Sequence, residues 1–228
     1  MSTIADNVSQ VAERIRAAAL VAQRDPSTIG LLAVSKTKPA AALREAFAAG
    51  LRDFGENYLQ EALSKQLELA DLPLCWHFIG PIQSNKTRAI AEHFAWVHSV
   101  DRLKIAQRLS EQRPTELPAL NICIQINVSG EASKSGCTPE DLPALAAAIN
   151  LLPRLKLRGL MAIPEPTDDS AAQNAAFAAV SSLQHSLNLP LDTLSMGMSH
   201  DLEAAIAQGA TWVRVGTALF GARDYGQP

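Results

Sequence analysis

"LLAVSKTKPAAALREAFAAG", residues 31–50, changes its periodicity part-way along. Residues 31–35 read as a strand that opens on four apolar residues, the pattern of a parallel strand buried on both faces. From Pro39 onward apolar residues recur at helical spacing, with the proline as first helical residue. The connection, "KTKP", contains no glycine. A doubly wound nucleotide-binding sheet would place a glycine-rich turn there, so the stretch opens a β/α repeat of another kind. It also poses a chemical question. Desolvating an ammonium is costly, yet Lys36 directly follows a run that reads as buried.

Seven more units follow the same plan. Apolar runs at 53–57, 76–80, 95–100, the 120s, 157–163, 193–198 and 212–216 alternate with alanine- and leucine-rich stretches of helical period. Eight strands alternating with helices, with no proline- or glycine-rich linker, predict an α/β fold: one (β/α)8 barrel over residues 1–228. A helix over roughly residues 3–22, within an N-terminal segment 1–25, precedes the first strand and is extra to the repeat. The chain has 228 residues, somewhat short for a fold that usually takes about 250.

Composition excludes several classes of function. A net charge of −3, with lysine and arginine scattered, leaves no footprint for nucleic acid. No apolar run reaches the roughly 18 residues of a membrane span, and the first twenty residues are too polar for a signal peptide. A cytoplasmic protein is expected. Cys75, Cys123 and Cys137 read as free thiols, without close pairs or histidine partners at metal spacing.

In a barrel of this kind chemistry sits where strands end at the C-terminal face. Those positions hold Lys36, Asn57, Gln83, Asn85, Ser99, Asp101, Asn127, Ser129, Met161, Met198, Ser199, Arg214, Gly216 and Thr217. The set includes an amine, amides, hydroxyls and an arginine, but no carboxylate pair for glycoside hydrolysis and no metal cluster. In "MGMSHDLEAAI" Ser199 can cap a helix beside backbone N–H groups. In "VRVGTALFGAR" Gly216 admits a close ligand, and Thr217 offers an amide and a hydroxyl. Barrels commonly bind phosphate at these two loops, after strands seven and eight. An amine at strand one facing such a cradle suggests a phosphorylated aldehyde held as a Schiff base, because an apolar site favours the free amine. Pyridoxal phosphate and a class I aldolase substrate both answer that description.

Together "AVSKTKP", "FGENY", "WHFIGPIQSNK", "HSVDR", "INVSGEASKSG", "LRGLMAIP" and "LSMGMSHDLEAAIAQGATWVRVGTALFGAR" closely resemble the pyridoxal phosphate homeostasis protein family. These are small racemase-like barrels once labelled proline synthetase co-transcribed homologues. The resemblance implies the N-terminal barrel of fold-type III pyridoxal enzymes such as alanine racemase, with pyridoxal 5'-phosphate as cofactor and Lys36 as the Schiff-base lysine. It implies phosphate contacts from Ser199, Gly216 and Thr217, with Arg214 facing the pyridine nitrogen and Asn57 lining the pocket. Opposite an arginine that nitrogen stays unprotonated, and the ring is a weaker electron sink. Alanine racemase carries a tyrosine four residues after its lysine, where this chain has Ala40. It also has a further β domain that supplies a catalytic tyrosine, whereas this sequence runs only to Pro228, with Tyr58 and Tyr225 its only tyrosines.

A non-catalytic carrier or buffer of the cofactor is therefore the leading reading, with effects on vitamin B6 and amino-acid balance. Apo-forms of pyridoxal enzymes are candidate recipients. A weak racemase and a cofactor-free aldolase are the alternatives. Lys38 reads as a solvated charge before a helix and Lys134 as a solvated loop charge. His77 reads as a neutral core residue, and His200 as a neutral residue in the first turn of the helix after Ser199. Met196 and Met198 read as packing, and Cys137 as an incidental thiol in a polar loop.

Overall fold

In a computed structural model, which describes residues 2–128 and 135–221, eight parallel strands close into a barrel in chain order. They are β1 (Gly30–Val34), β2 (Asp53–Glu56), β3 (Cys75–Phe78), β4 (Trp96–Val100), β5 (Leu120–Ile126), β6 (Leu155–Ala162), β7 (Thr193–Ser195) and β8 (Trp212–Val215). The outer helices are α2 (Ala40–Ala48), α3 (Leu59–Glu68), α4 (Thr87–His93), α5 (Leu103–Gln112), α6 (Leu142–Asn150), α7 (Ser170–Ser186) and α8 (Leu202–Ala207). A single turn, α9 (Thr217–Phe220), follows β8, and α1 (Ile4–Val21) precedes β1 as expected. The barrel predicted from periodicity is the barrel observed.

Closure comes from β1 lying beside β8, with Gly30, Leu31, Leu32 and Ala33 opposite Trp212, Val213, Arg214 and Val215. Helix α1 starts with a capping box in which Thr3 and Asp6 satisfy each other's backbone N–H. Its buried face, Val8, Val11 and Ile15, packs over the seam against α2, α8 and α9. Strand seven is shorter than its apolar run. It stops at Ser195, and Gly197 then takes φ +92, a left-handed conformation that bends the chain out of the sheet.

The main apolar core lies between the strands and the helices, and includes Leu43, Phe54, Ile90, Leu109 and Phe177. Inside the barrel, alternate side chains build a different filling. Trp96, Cys123 and Met161 form a separate buried cluster. His77 stacks on Trp96, with ring centroids 5.5 Å apart, and meets the edge of Trp212 at 5.2 Å. Trp212 fits because residue 30 is glycine: a Cβ there would lie 2.4 Å from the indole. Above this layer sit His98 and Ser195, both fully buried.

Burial pushes the His77 pKa down, only partly opposed by Asp53. It pushes His98 well below the ordinary 6.5, with His77 and Arg214 adding to the effect. Both imidazoles are therefore neutral in the folded protein, as expected for His77. On acidification the unfolded chain takes up these protons first, so this contribution is present above pH 6.5 and lost as pH falls towards the depressed folded values. Urea unfolding between about pH 7.5 and 5.5 should show stability declining by up to about 1.4 kcal/mol per pH unit for each histidine. The decline should be shallower in His98→Gln, and an equal slope in the two proteins contradicts the assignment.

Candidate functional site

A cavity of about 200 Å³ opens at the C-terminal mouth of the barrel. Lys36, Asn57, Ser199, Arg214, Gly216 and Thr217, the six residues singled out from sequence, all line it. Val34, Ile79, Ile163 and Met198 supply an apolar wall. Lys36, Lys38 and Arg214 bring cationic groups, and no carboxylate stands among the described lining residues. In an apolar hollow that charge set favours an anion.

The mounting of Lys36 is a buried polar network that sequence reasoning missed. Lys65, on α3, donates to Glu56 Oε1 at 2.8 Å, to the carbonyl of Ser35 at 2.7 Å and to Glu61. Ser35 also donates to Glu56 Oε1, at 2.6 Å, and Glu61 accepts the N–H of Thr37. The backbone is thus gripped on both sides of residue 36. Thr37 sits at φ +63, a conformation a β-branched residue adopts only when its surroundings impose it, at a cost of about 1–3 kcal/mol. Burial pushes the Glu56 carboxyl up, while Lys65 and Ser35 pull it back. Nothing in the periodicity separates Glu56 and Lys65 from solvated charges; only their burial in the folded chain does. Next to Glu56, Asn57 has its Oδ1 buried without a hydrogen-bond partner, an atom a ligand in this cavity can satisfy.

The opposite side of the cavity is built by the turns after β7 and β8. At Gly197 a Cβ would come 2.5 Å from that of Ala205, so the tight turn needs glycine for space as well as for φ. Ser199 lines the cavity but does not cap α8. Asp201 occupies the N-cap position and uses its carboxylate on the Met198 N–H at 2.6 Å, two residues further along than expected. The Ser199 carbonyl is held by Arg14 of α1. Gly216 is the N-cap of α9 and Thr217 its first residue.

Arg214 is buried, and burial pushes its guanidinium down to about 10, still protonated at neutral pH. It donates to the Ser195 hydroxyl and carbonyl and to the Ala162 carbonyl, which takes three of its five N–H groups.

Several expectations need correction. Lys38 is not a solvated charge: it lines the cavity and donates to the carbonyls of Phe220 and Gly221, the end of α9. Pro39 is the N-cap of α2 rather than its first residue. His200 precedes α8 instead of lying in its first turn, is exposed, and lines the cavity. Cys137 bridges to Ile126 and packs into the core, where burial pushes its thiol up to about 12. Cys75 does have a histidine nearby: among the described residues, its sulfur and the ligand-type atoms of His77 and Asp53 lie within 4.8 Å of one another, at the opposite mouth. Burial and Asp53 keep that thiol protonated, with a pKa of about 12. Met196 is buried in the core and Met198 lines the cavity, both as expected. Gln83, Asn85, Ser99, Asp101, Asn127 and Met161 do not line it. Ser129, Lys134 and Tyr225 lie outside the described residues.

Residues 2–224 match the family described as alanine racemase, N-terminal domain. A pyridoxal phosphate homeostasis protein of Pseudomonas aeruginosa is 79% identical over 228 residues, covering 100% of this chain and 99% of that protein. This chain belongs to the pyridoxal phosphate homeostasis protein family. A member from Escherichia coli strain K12 is 56% identical, with 99% of each chain covered. Among solved structures, PipY of Synechococcus elongatus with pyridoxal phosphate bound superposes with a TM-score of 0.83 at 42% identity, covering 96% of this chain and 100% of that one. Alanine racemase from Corynebacterium glutamicum superposes at 0.67 and 18% identity, covering 96% of this chain and 62% of that one, a likeness of fold.

The network under Lys36 predicts a specific stability pattern. Lys65→Met strands a buried carboxylate and should destabilise the protein by about 3–5 kcal/mol, whereas Lys65→Met with Glu56→Leu should recover most of that loss. Chemical denaturation of the three proteins measures it, and a Lys65→Met cost below about 1 kcal/mol would show the pair to be solvated.

Proposed function

We propose that this chain holds pyridoxal 5'-phosphate as a Schiff base on Lys36 and serves intracellular vitamin B6 homeostasis as a cytoplasmic carrier or buffer, not as an enzyme. The observation that carries the reading is the convergence of Lys36 with Ser199, Arg214, Gly216 and Thr217 on one cation-rich cavity. The name of the 79% identical relative and the cofactor in the PipY structure agree with it.

When bound, the cofactor supplies an aldehyde that a neutral amine can capture. Every other part of the work falls to the chain. Lys36 brings the amine from the end of β1, held by the grip on Ser35 and Thr37. The hydroxyls of Ser199 and Thr217 and the backbone at Gly216 face an anion from two turns, a geometry suited to a phosphate. Arg214, always a donor, presents its remaining N–H groups to a ring nitrogen and keeps it unprotonated. The apolar wall of Val34, Ile79, Ile163 and Met198 offers the ring a surface to pack on. Asn57 offers its unmet amide atom to the ring edge.

Two-base racemisation needs an acid or base on each side of the substrate carbon. Lys36 serves one side. Residue 40, where alanine racemase has its tyrosine, is alanine, and Tyr58 is 55% exposed and outside the cavity lining. Among the described residues no tyrosine reaches this cavity, which favours carriage, with apo-forms of pyridoxal enzymes as recipients, over racemisation of the alanine racemase kind. No helix among the described residues is long and apolar enough to cross a membrane, which suits a cytoplasmic carrier.

Protein incubated with pyridoxal phosphate, reduced with borohydride and digested should carry the pyridoxyl group on Lys36, and Lys36→Ala should stay colourless. A label on Lys38 instead would displace the assignment. Ser199→Ala with Thr217→Val should raise the dissociation constant at least about tenfold, the scale of one hydrogen bond to a charged group; unchanged affinity by absorbance titration would place the phosphate elsewhere.

A further inference from the structure

Beneath the cavity a file of polar side chains crosses the barrel to its other mouth. Arg214 NH1 lies 2.9 Å from Ser195 Oγ, and Ser195 Oγ lies 2.7 Å from His98 Nδ1. His98 Nε2 lies 2.9 Å from His77 Nδ1, and His77 Nε2 lies 3.0 Å from Asp53 Oδ1. The first four residues of the file come from four strands, β8, β7, β4 and β3, and the fifth, Asp53, is the first residue of β2.

The two ends of this file allow only one direction of donation. A guanidinium donates and never accepts, so Ser195 Oγ accepts from Arg214 and its own proton goes to His98 Nδ1. An ionised carboxylate accepts and never donates, so His77 carries its proton on Nε2 and accepts at Nδ1 from His98 Nε2–H. The argument from the top and the argument from the bottom give the same tautomers. Each residue has its proton placed by its neighbour, and burial of the three middle side chains excludes water as a substitute partner.

We propose that Asp53, His77, His98 and Ser195 are positioning residues for Arg214, a one-way hydrogen-bonded chain that fixes which guanidinium N–H groups face the cavity and so sets its bond to the ring nitrogen of the bound cofactor. The chain fills NH1 from below, since both NH1 hydrogens go to Ser195, while NH2 is shared with Ala162. Nε–H and the second NH2 hydrogen take no acceptor among the described residues, and Arg214 lines the cavity. Cutting the chain at Ser195 frees one NH1 hydrogen and lets the plane rotate. The proposal rests on the pyridoxal phosphate reading above.

The first test needs no cofactor. In ¹⁵N-histidine-labelled apo-protein, NMR should show His77 and His98 both as Nε2–H tautomers with exchange-protected ring protons. An Nδ1–H tautomer at either position overturns the chain. The second test uses the loaded protein. Ser195→Ala and His98→Phe should shift the absorbance maximum of the bound cofactor and raise its dissociation constant about tenfold, the scale of one charge-assisted hydrogen bond. His98→Gln, whose amide can accept from Ser195 and donate to His77, should return both readouts towards the parent protein. Variants that bind with parental spectrum and affinity overturn the proposal while leaving the cofactor reading intact. A parent protein that takes up no pyridoxal phosphate overturns the reading and the proposal together, whatever the tautomers.

Discussion

The pairing of β1 with β8 is the constraint from which the site follows. Ala33 stands opposite Val215, so the chain leaving β1 and the chain leaving β8 emerge side by side. Residues 36 and 216, 180 positions apart in sequence, are thereby brought to one hollow. The pairing is tight at this rim: a Cβ on Gly216 would lie 3.2 Å from the carbonyl of Val34. Helix α1 and the turn after it secure the seam from outside, with Asn7 donating to the carbonyl of Leu219 and Arg24 to those of Ile206 and Ala210. An element extra to the β/α repeat thus has a structural role at the closure that makes the site.

Holding charge inside an apolar frame is the main physical cost of this design. Two buried ionic systems bear it. Lys65 with Glu56 and Glu61 supports the turn that carries Lys36, and the buried Arg214 guanidinium heads a file of hydrogen bonds that ends at Asp53. Neither would be favoured over a well-packed apolar pair for stability alone. Both stand directly behind cavity residues, and the left-handed Thr37 lies beside one of them. Preorganisation explains the arrangement: an amine and a guanidinium that must meet a small ligand in fixed directions need supports that cannot relax.

Much of this was legible in the sequence, and the limits are physical. Strand and helix positions came from apolar period, which reports burial face by face; hence the run 212–216 matches β8 and the stretch 3–22 matches α1. The cavity residues were legible because strand ends in a closed barrel share one rim. Periodicity cannot show which polar residue is buried. Lys65 sits on a helix that looks solvated, and His98 and Ser195 lie as polar letters within runs read as strands. Nor does it resolve turn geometry within two residues, and the N-cap position of α8 falls at Asp201 rather than Ser199. Lys38 is held by carbonyls at the far end of the chain, a partnership no local pattern contains.

Crystals of the protein grown with pyridoxal phosphate test the central claim most directly. The account predicts electron density continuous from Lys36 Nζ into the cofactor, its phosphate on Ser199, Gly216 and Thr217 and its ring nitrogen beside Arg214. Cofactor density joined to another lysine, or a phosphate seated away from the turns after β7 and β8, would contradict it.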